Sequence, residues 1–199
     1  MTRSFVQTEL FASGPRSLAE DAEGGIRYWP DFVDGQLAAE WFQVLRDDVE
    51  WQAQQRPMYD RIVDVPRLVA AFRLDDAALP APLAEAARSL RERLSVPFNS
   101  VGLNYYRDGN DSVAPHNDKL HSLVPGHPIA LLSLGASRRM AIRAKLPPAR
   151  SIHIDLEPGS LLLMSHTSQL HYVHGIGKTR EPVGPRISLA YRVRPAATR

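Results

Sequence analysis

Cysteine is absent from the 199-residue chain. That excludes disulfides, thiolate zinc sites and cysteine nucleophiles. No apolar run is long enough to span a bilayer, and the opening MTRSFVQTELFASGPRSL has no apolar signal core. A cytoplasmic protein without a membrane partner is therefore expected. Histidine is missing from the first hundred residues, since all seven lie beyond them. Positive charge is scarce there too: residues 1–100 hold 11 Arg against 16 Asp and Glu, whereas residues 101–199 hold 13 Lys and Arg against 6 acids. The formal net charge of +2 hides this asymmetry. A basic half suits an anionic partner such as nucleic acid or a small dicarboxylate, although a solvated surface explains the charge as well.

With 44% hydrophobic residues the chain can bury a sizeable core, and its length suits one domain. Residues 1–25 read as a loosely held polar arm. DGQLAAEWFQVLRDD predicts a helix capped by Asp34, with Leu37, Trp41, Phe42 and Leu45 on one stripe. PAPLAEAARSLRERL predicts a second, with Pro82 in its first turn and Leu83, Ala86, Leu90 and Leu94 on one side. Residues 51–79 are mixed and predict short strands and a surface loop. From residue 99 the pattern changes to short β-rich runs separated by Gly, Pro, Asn or Asp, among them PIALLSLG, RRMAIRAK, RSIHIDL, GSLLLMS and PRISLAYRV. Their spacing predicts a sandwich or barrel rather than βαβ units. The expected architecture is mainly β: a jelly-roll core over residues 99–194, with a supporting helical layer and a lid in residues 26–98.

APHNDKLH places His116 two residues before Asp118. In a strand, positions i and i+2 share a face, so an imidazole and a carboxylate can aim at one point. A third ligand could come from His153, His166, His171 or His174. Two His and one carboxylate leave half of an octahedral ion open, which suits iron(II), a bidentate oxo-acid and dioxygen. In RISLAYR, Arg186, Ser188, Ala190 and Arg192 share one face while Ile187, Leu189 and Tyr191 share the other. Buried guanidinium groups are costly without an anionic partner, and Arg grips a carboxylate through two hydrogen bonds. A dianionic ligand across Ser188 and Ala190 would account for that face; a solvated strand face is the simpler explanation. In LNYYRDG, Asn104 and Tyr106 share a face and could complete a carboxylate clamp.

Taken in order, NYYRDG, HND, PGHPIALLSLGASR, GSLLLMSHTSQLHYVHGI and PRISLAYR resemble the AlkB family of iron(II)- and 2-oxoglutarate-dependent dioxygenases. RYWPDFV and VPRL add weaker support, and the resemblance covers about residues 26–194. It implies a double-stranded β-helix with His116, Asp118 and His174 as iron ligands. It implies Asn104, Tyr106 and Arg186 as contacts to the distal carboxylate of 2-oxoglutarate, and Arg192 near its metal-bound end and Asp118. The implied reaction uses O2, converts 2-oxoglutarate to succinate and CO2, and releases an alkyl group from a base nitrogen as an aldehyde. The implied substrate is an alkylated base in single-stranded nucleic acid, or one flipped out of a duplex.

On the substrate side the chain departs from repair-type relatives. VPRLVAAFRLDDAALP lacks their Tyr-Gly segment, leaving Phe72 as the base-stacking candidate opposite His116, with Trp51 or Tyr59 as substitutes. Leu120 stands where an acidic residue is usual, and cannot accept a hydrogen bond from a base. Lys178 and Arg180 in GKTREP are candidate phosphate contacts, as is the run Arg138, Arg139, Arg143, Lys145 and Arg150. Alternatives are an oxygenase of the same scaffold acting on a protein or small molecule, a non-catalytic nucleic-acid-binding module, and a zinc hydrolase. The last would leave the two arginines, Asn104 and Tyr106 unexplained.

Overall fold

Helix α1, Gly35–Asp48, starts where Asp34 turns its carboxylate onto the free N–H groups of Gln36 and Leu37. It buries Ala38, Trp41, Phe42 and Leu45, while Leu37 sits at the rim. Helix α2, Ala81–Leu94, has Pro82 in its first turn and ends on Ser95 in the left-handed conformation. It buries Leu83, Ala86, Ala87 and Leu90. Both follow the expected apolar spacing except at one position each, Leu37 being exposed and Leu94 half-buried. In this computed structural model, residues 14–58 and 61–196 are described.

The two helices cover one face of an eight-stranded antiparallel sheet. Its strands are β1 (Arg16–Ala19), β2 (Ile26–Trp29), β3 (Gln52–Met58), β4 (Arg61–Arg73), β5 (Ser100–Tyr106), β7 (Ile129–Gly135), β10 (Leu161–Met164) and β12 (Arg186–Arg192). They run in the order β1-β2-β10-β7-β12-β5-β4-β3. The second sheet, β6-β11-β8-β9, joins Val113–His116, Tyr172–Ile176, Arg138–Ala144 and Ser151–Leu156. A short helix α3, Ser168–His171, precedes β11. Part of the N-terminal stretch read as an arm is thus a strand on the sheet edge.

Strand parity sorts the side chains of the large sheet. Ile187, Leu189 and Tyr191 of β12 oppose Tyr105, Leu103 and Val101 of β5, and this face packs on α1 and α2. The opposite face carries Asn104, Tyr106, Arg186, Ser188, Ala190 and Arg192 toward the second sheet. The jelly-roll interior between the sheets is closed by Ile26, Tyr28, Leu131, Leu162, Met140, Ile142 and Leu156.

β3 and β4 form a long hairpin in place of the expected short strands and loop. A bulge separates the pairs Ala53–Leu68 and Gln55–Asp64. Three residues of β4, Val65 to Arg67, thereby face the single Gln54 of β3, and the Ser112 N–H donates to the Pro66 carbonyl at 2.7 Å. Phe72 is not at the expected base-stacking position. It opposes Val101 and packs in the helix-side core, so it does not face His116. Trp51 packs on that side too, 5.1 Å from the Tyr105 ring, and Tyr59 lies outside the described residues. Among the described residues no helix is long and apolar enough to cross a membrane.

Candidate active site

His116 and His174 are direct partners across β6 and β11, and their rings lie 4.6 Å apart. The next register step is a bulge at Gly175, where any Cβ would sit 2.9 Å from Pro115 N and Val113 O. Glycine there lets β6 close on β11 and brings the imidazoles together. His116 is exposed, and its Nδ1 lies 2.9 Å from the Ala114 carbonyl. A proton held on Nδ1 leaves the Nε2 lone pair facing outward. Burial and the neighbouring His116 push the pKa of His174 down to about 4, so it is a neutral donor at neutral pH. Of the other candidates, His153 is exposed on β9, His166 lies in the turn after β10, and His171 is exposed on α3. The structure therefore pairs His116 with His174 alone.

Asp118 follows β6 in irregular backbone. Burial pushes its carboxyl upward, but the guanidinium of Arg192 outweighs this and holds it below the usual range. Arg192 donates to both oxygens, Nε to Oδ2 at 2.6 Å and Nη2 to Oδ1 at 3.2 Å. Among the described residues no three His, Asp or Glu side chains are already gathered about one metal-sized point. The imidazoles are together, and the carboxylate beside them is engaged by Arg192. Two neutral imidazoles and one ionised carboxylate are a donor set that could hold iron(II) with coordination positions to spare.

Arg186 is fully buried, and only Nη2 has a partner, Ser133 Oγ at 2.9 Å. Its Nε and Nη1 are buried without one. Burial pushes its pKa down to about 10, which still leaves it charged at neutral pH. The guanidinium carbon lies 5.3 Å from the Tyr106 ring centroid, and burial pushes the Tyr106 phenol upward, keeping it neutral. Arg138, also buried, approaches the same ring at 5.7 Å, but its donors are spent on the carbonyls of Asp108, Asp111 and Gly177. Asn104 Oδ1 accepts from Arg67 Nε at 2.7 Å. A buried cation with two unpartnered nitrogens and no carboxylate is a strong electrostatic demand for an anion. A carboxylate of 2-oxoglutarate fits that demand.

A cavity of about 770 Å³ opens between the β3–β4 hairpin and the β6–β11–β8 strands. His116, Arg67, Arg143 and Lys178 line it together with Gln54, and no carboxylate does among the described lining residues. Lys178 thus reaches the site. Arg180 is exposed and outside the lining, and Leu120 is half-buried in a 3₁₀ turn over Leu120–Ser122, also outside it. The basic run beyond β7 is not one patch. Arg138 is internal, Arg139 pairs with Asp155, and the Lys145 ammonium caps the Gln169 carbonyl. Sequence reasoning passed over Arg67, Gln169 and Ser133. VPRL gave a hint of the first, and no spacing signals the other two.

The 2OG-Fe(II) oxygenase superfamily model matches residues 25–192. The chain is 30% identical over 179 residues to the Homo sapiens DNA oxidative demethylase ALKBH2, covering 78% of this chain and 68% of that protein. It is 31% identical over 195 residues to the Mus musculus alpha-ketoglutarate-dependent dioxygenase alkB homolog 3, covering 88% of this chain and 68% of that one. Among solved structures, OsALKBH1 superposes with a TM-score of 0.58 at 15% identity, over 91% of this chain and all of the other. A Pseudomonas putida prolyl-4-hydroxylase gives 0.55 at 13%, over 86% and 94%. These two likenesses speak to the jelly-roll fold.

Proposed function

The chain belongs to the 2OG-Fe(II) oxygenase superfamily and, within it, to the AlkB family, and from that premise we propose that it oxidatively removes alkyl groups from bases in DNA or RNA. The observation that carries the reading is Arg186, a fully buried guanidinium with two unpartnered nitrogens on the same strand face as Arg192, the partner of Asp118. His116, Asp118 and His174 would hold the iron. Arg186, with Tyr106 and Asn104, would grip the distal carboxylate of 2-oxoglutarate. When bound, iron(II) and 2-oxoglutarate supply with O2 an oxidation that yields succinate and CO2 and places one oxygen atom on the substrate's alkyl carbon, which leaves as an aldehyde.

The residues of the chain bind, orient and exclude. His174, neutral and buried, keeps its lone pair available, and Arg192 holds the Asp118 carboxylate ionised. Arg186 is fully buried against the Tyr106 ring, so that a carboxylate bound there would meet its charge without competing water. Arg67, Arg143 and Lys178 around the cavity would attract a phosphodiester strand, and His116 would lie beneath a base entering from that side. Phe72 in the helix-side core leaves that base without the expected stacking aromatic, which favours a second reading: an oxygenase of this scaffold acting on a protein or small molecule.

One experiment separates the two. The protein is reconstituted anaerobically with iron(II) and 2-oxoglutarate, then given oxygen and a single-stranded oligonucleotide with one N-methylated adenine or cytosine. Loss of the methyl group by mass spectrometry, matched by succinate, is the expected result. Succinate without demethylation would move the substrate to the second reading, and no succinate with any substrate would overturn both.

A further inference from the structure

We propose that Gln169 is the positioning residue for Asp118, and that it is held in turn by a polar relay ending at Asp21 in the N-terminal β1–β2 turn. The inference rests on the reading of Asp118 as a metal ligand. Asp118 lies between β6 and the 3₁₀ turn, so no sheet neighbour accepts its backbone N–H. Gln169 Oε1 does so instead, at 3.0 Å across 51 residues of sequence. That bond fixes the backbone from which the side chain springs, while Arg192 holds the carboxylate at its other end.

Gln169 is itself fixed. Its side chain is 2% exposed, and its Nε2 donates to Ser168 Oγ at 3.3 Å. The Ser168 hydroxyl donates to the Ser165 carbonyl at 2.7 Å, and the Ser168 N–H donates to Ser165 Oγ at 2.9 Å. The Ser165 hydroxyl donates to Asp21 Oδ2 at 2.5 Å. Asp21 Oδ1 accepts the N–H groups of Glu23 and Gly25, both at 2.8 Å. From Asp118 onward each donor points toward Asp21: the Ser168 hydroxyl stops at the Ser165 carbonyl, the Ser168 N–H makes the step to Ser165 Oγ, and the relay ends on a carboxylate that can only accept. Reversing the Gln169 amide would set N–H against N–H at Asp118, so the relay admits one orientation. Ser165 and Ser168 are as buried as Gln169, and Lys145 Nζ clamps the Gln169 carbonyl at 2.7 Å. An N-terminal turn outside the jelly-roll interior thereby reaches the candidate centre.

The test uses the full chain without turnover. Mn(II) affinity is measured by electron paramagnetic resonance, hydrogen exchange of residues 116–120 is followed in the metal-free protein, and thermal melting reports the fold. Gln169→Leu is expected to weaken Mn(II) binding about 10- to 100-fold and to speed exchange at Asp118. Asp21→Ala, remote from the metal, is expected to weaken binding by a smaller factor, and Asp21→Asn, which keeps an acceptor for Ser165, to restore most of it. Asp21→Ala also serves if Gln169→Leu fails to fold. Lower melting temperatures with wild-type Mn(II) affinity in both variants would overturn the proposal and make the relay plain scaffolding. If the wild type fails to bind Mn(II), or His174→Ala binds it equally well, the metal-site reading has failed and the proposal goes with it.

Discussion

The two faces of β12 are built to opposite rules. Toward the helices it offers Ile187, Leu189 and Tyr191, all fully buried, with the Tyr191 hydroxyl donating to the Leu83 carbonyl at 3.0 Å. Toward the second sheet it offers Arg186, Ser188, Ala190 and Arg192, and there Arg186 is left with unmet donors. The first face satisfies every group it buries and holds the fold. The second tolerates a frustrated cation beside Tyr106, with the small Ser188 and Ala190 next along the face, which costs stability and leaves room for a ligand. Seven residues of one strand thus divide stability from chemistry by parity alone.

That division can be broken outright at the metal side of the site. His174→Ala should abolish iron-dependent turnover while His171→Ala leaves most of it; the reverse pattern would place the ligand on α3. On the helix-facing side, Leu189→Ala should cost about 2–5 kcal/mol in urea unfolding with 2-oxoglutarate affinity unchanged. An affinity loss in a fully folded variant would show that the faces are coupled. Arg186→Met should do the opposite. It should raise the 2-oxoglutarate requirement about 100-fold, since a buried two-point contact to a carboxylate is worth roughly 2–5 kcal/mol. Its stability should hold or rise, because removing an unpaired buried charge relieves a penalty. A destabilised Arg186→Met with normal 2-oxoglutarate affinity would place Arg186 outside the pocket.

A sharper contrast lies between Arg186 and the satisfied pair near it. Burial pushes the Asp111 carboxyl upward, yet the Arg107 side chain and N–H, at 2.8–2.9 Å, hold it below its ordinary 3.8. A depressed carboxylate stabilises the fold above its ordinary range, and that stability is lost as pH falls through the folded-state value. Asp111→Asn should therefore cost about 1–3 kcal/mol at pH 7 and much less at the acid end of the folded range. Equal costs at both would mean that shape rather than charge holds the loop. The smallest effect belongs to Tyr191→Phe, which should lose about 1 kcal/mol on melting without touching the site.

The sequence carried the helices and the β-rich second half because cap, stripe and alternation all agree there. Asp34 announces α1, and the period-two rows of PRISLAYRV announce both faces of β12. It failed on the hairpin because the bulge between Ala53 and Gln55 breaks alternation within QAQQRPM. Phe72 was misplaced for a related reason: its face is set by its register against Val101, which the local text does not contain. α3 hid inside SQLHYVHG, where a single turn leaves too short a pattern, and that turn is what separates His171 from His174. Gln169 was illegible because its partner is a backbone amide 51 residues away, with no residue type of its own to mark it.

β4 runs unbroken from Arg61 to Arg73, gripped at its far end by the core through Phe72 and propped midway where Pro66 meets Ser112. From Val65 back to Arg61, five residues or about 17 Å of strand, it has left β5, which it meets only over Leu68–Arg73, and its ladder partner is β3. Mechanically this is a cantilever with its fulcrum at Pro66. A tilt of about 5° there would move the Arg61 end by about 1.5 Å, given that strand rise. At that fulcrum Pro66 and Arg67 hold Ser112 by its N–H and by its carbonyl, so the hairpin side of the cavity is tied to the β6 side through one residue.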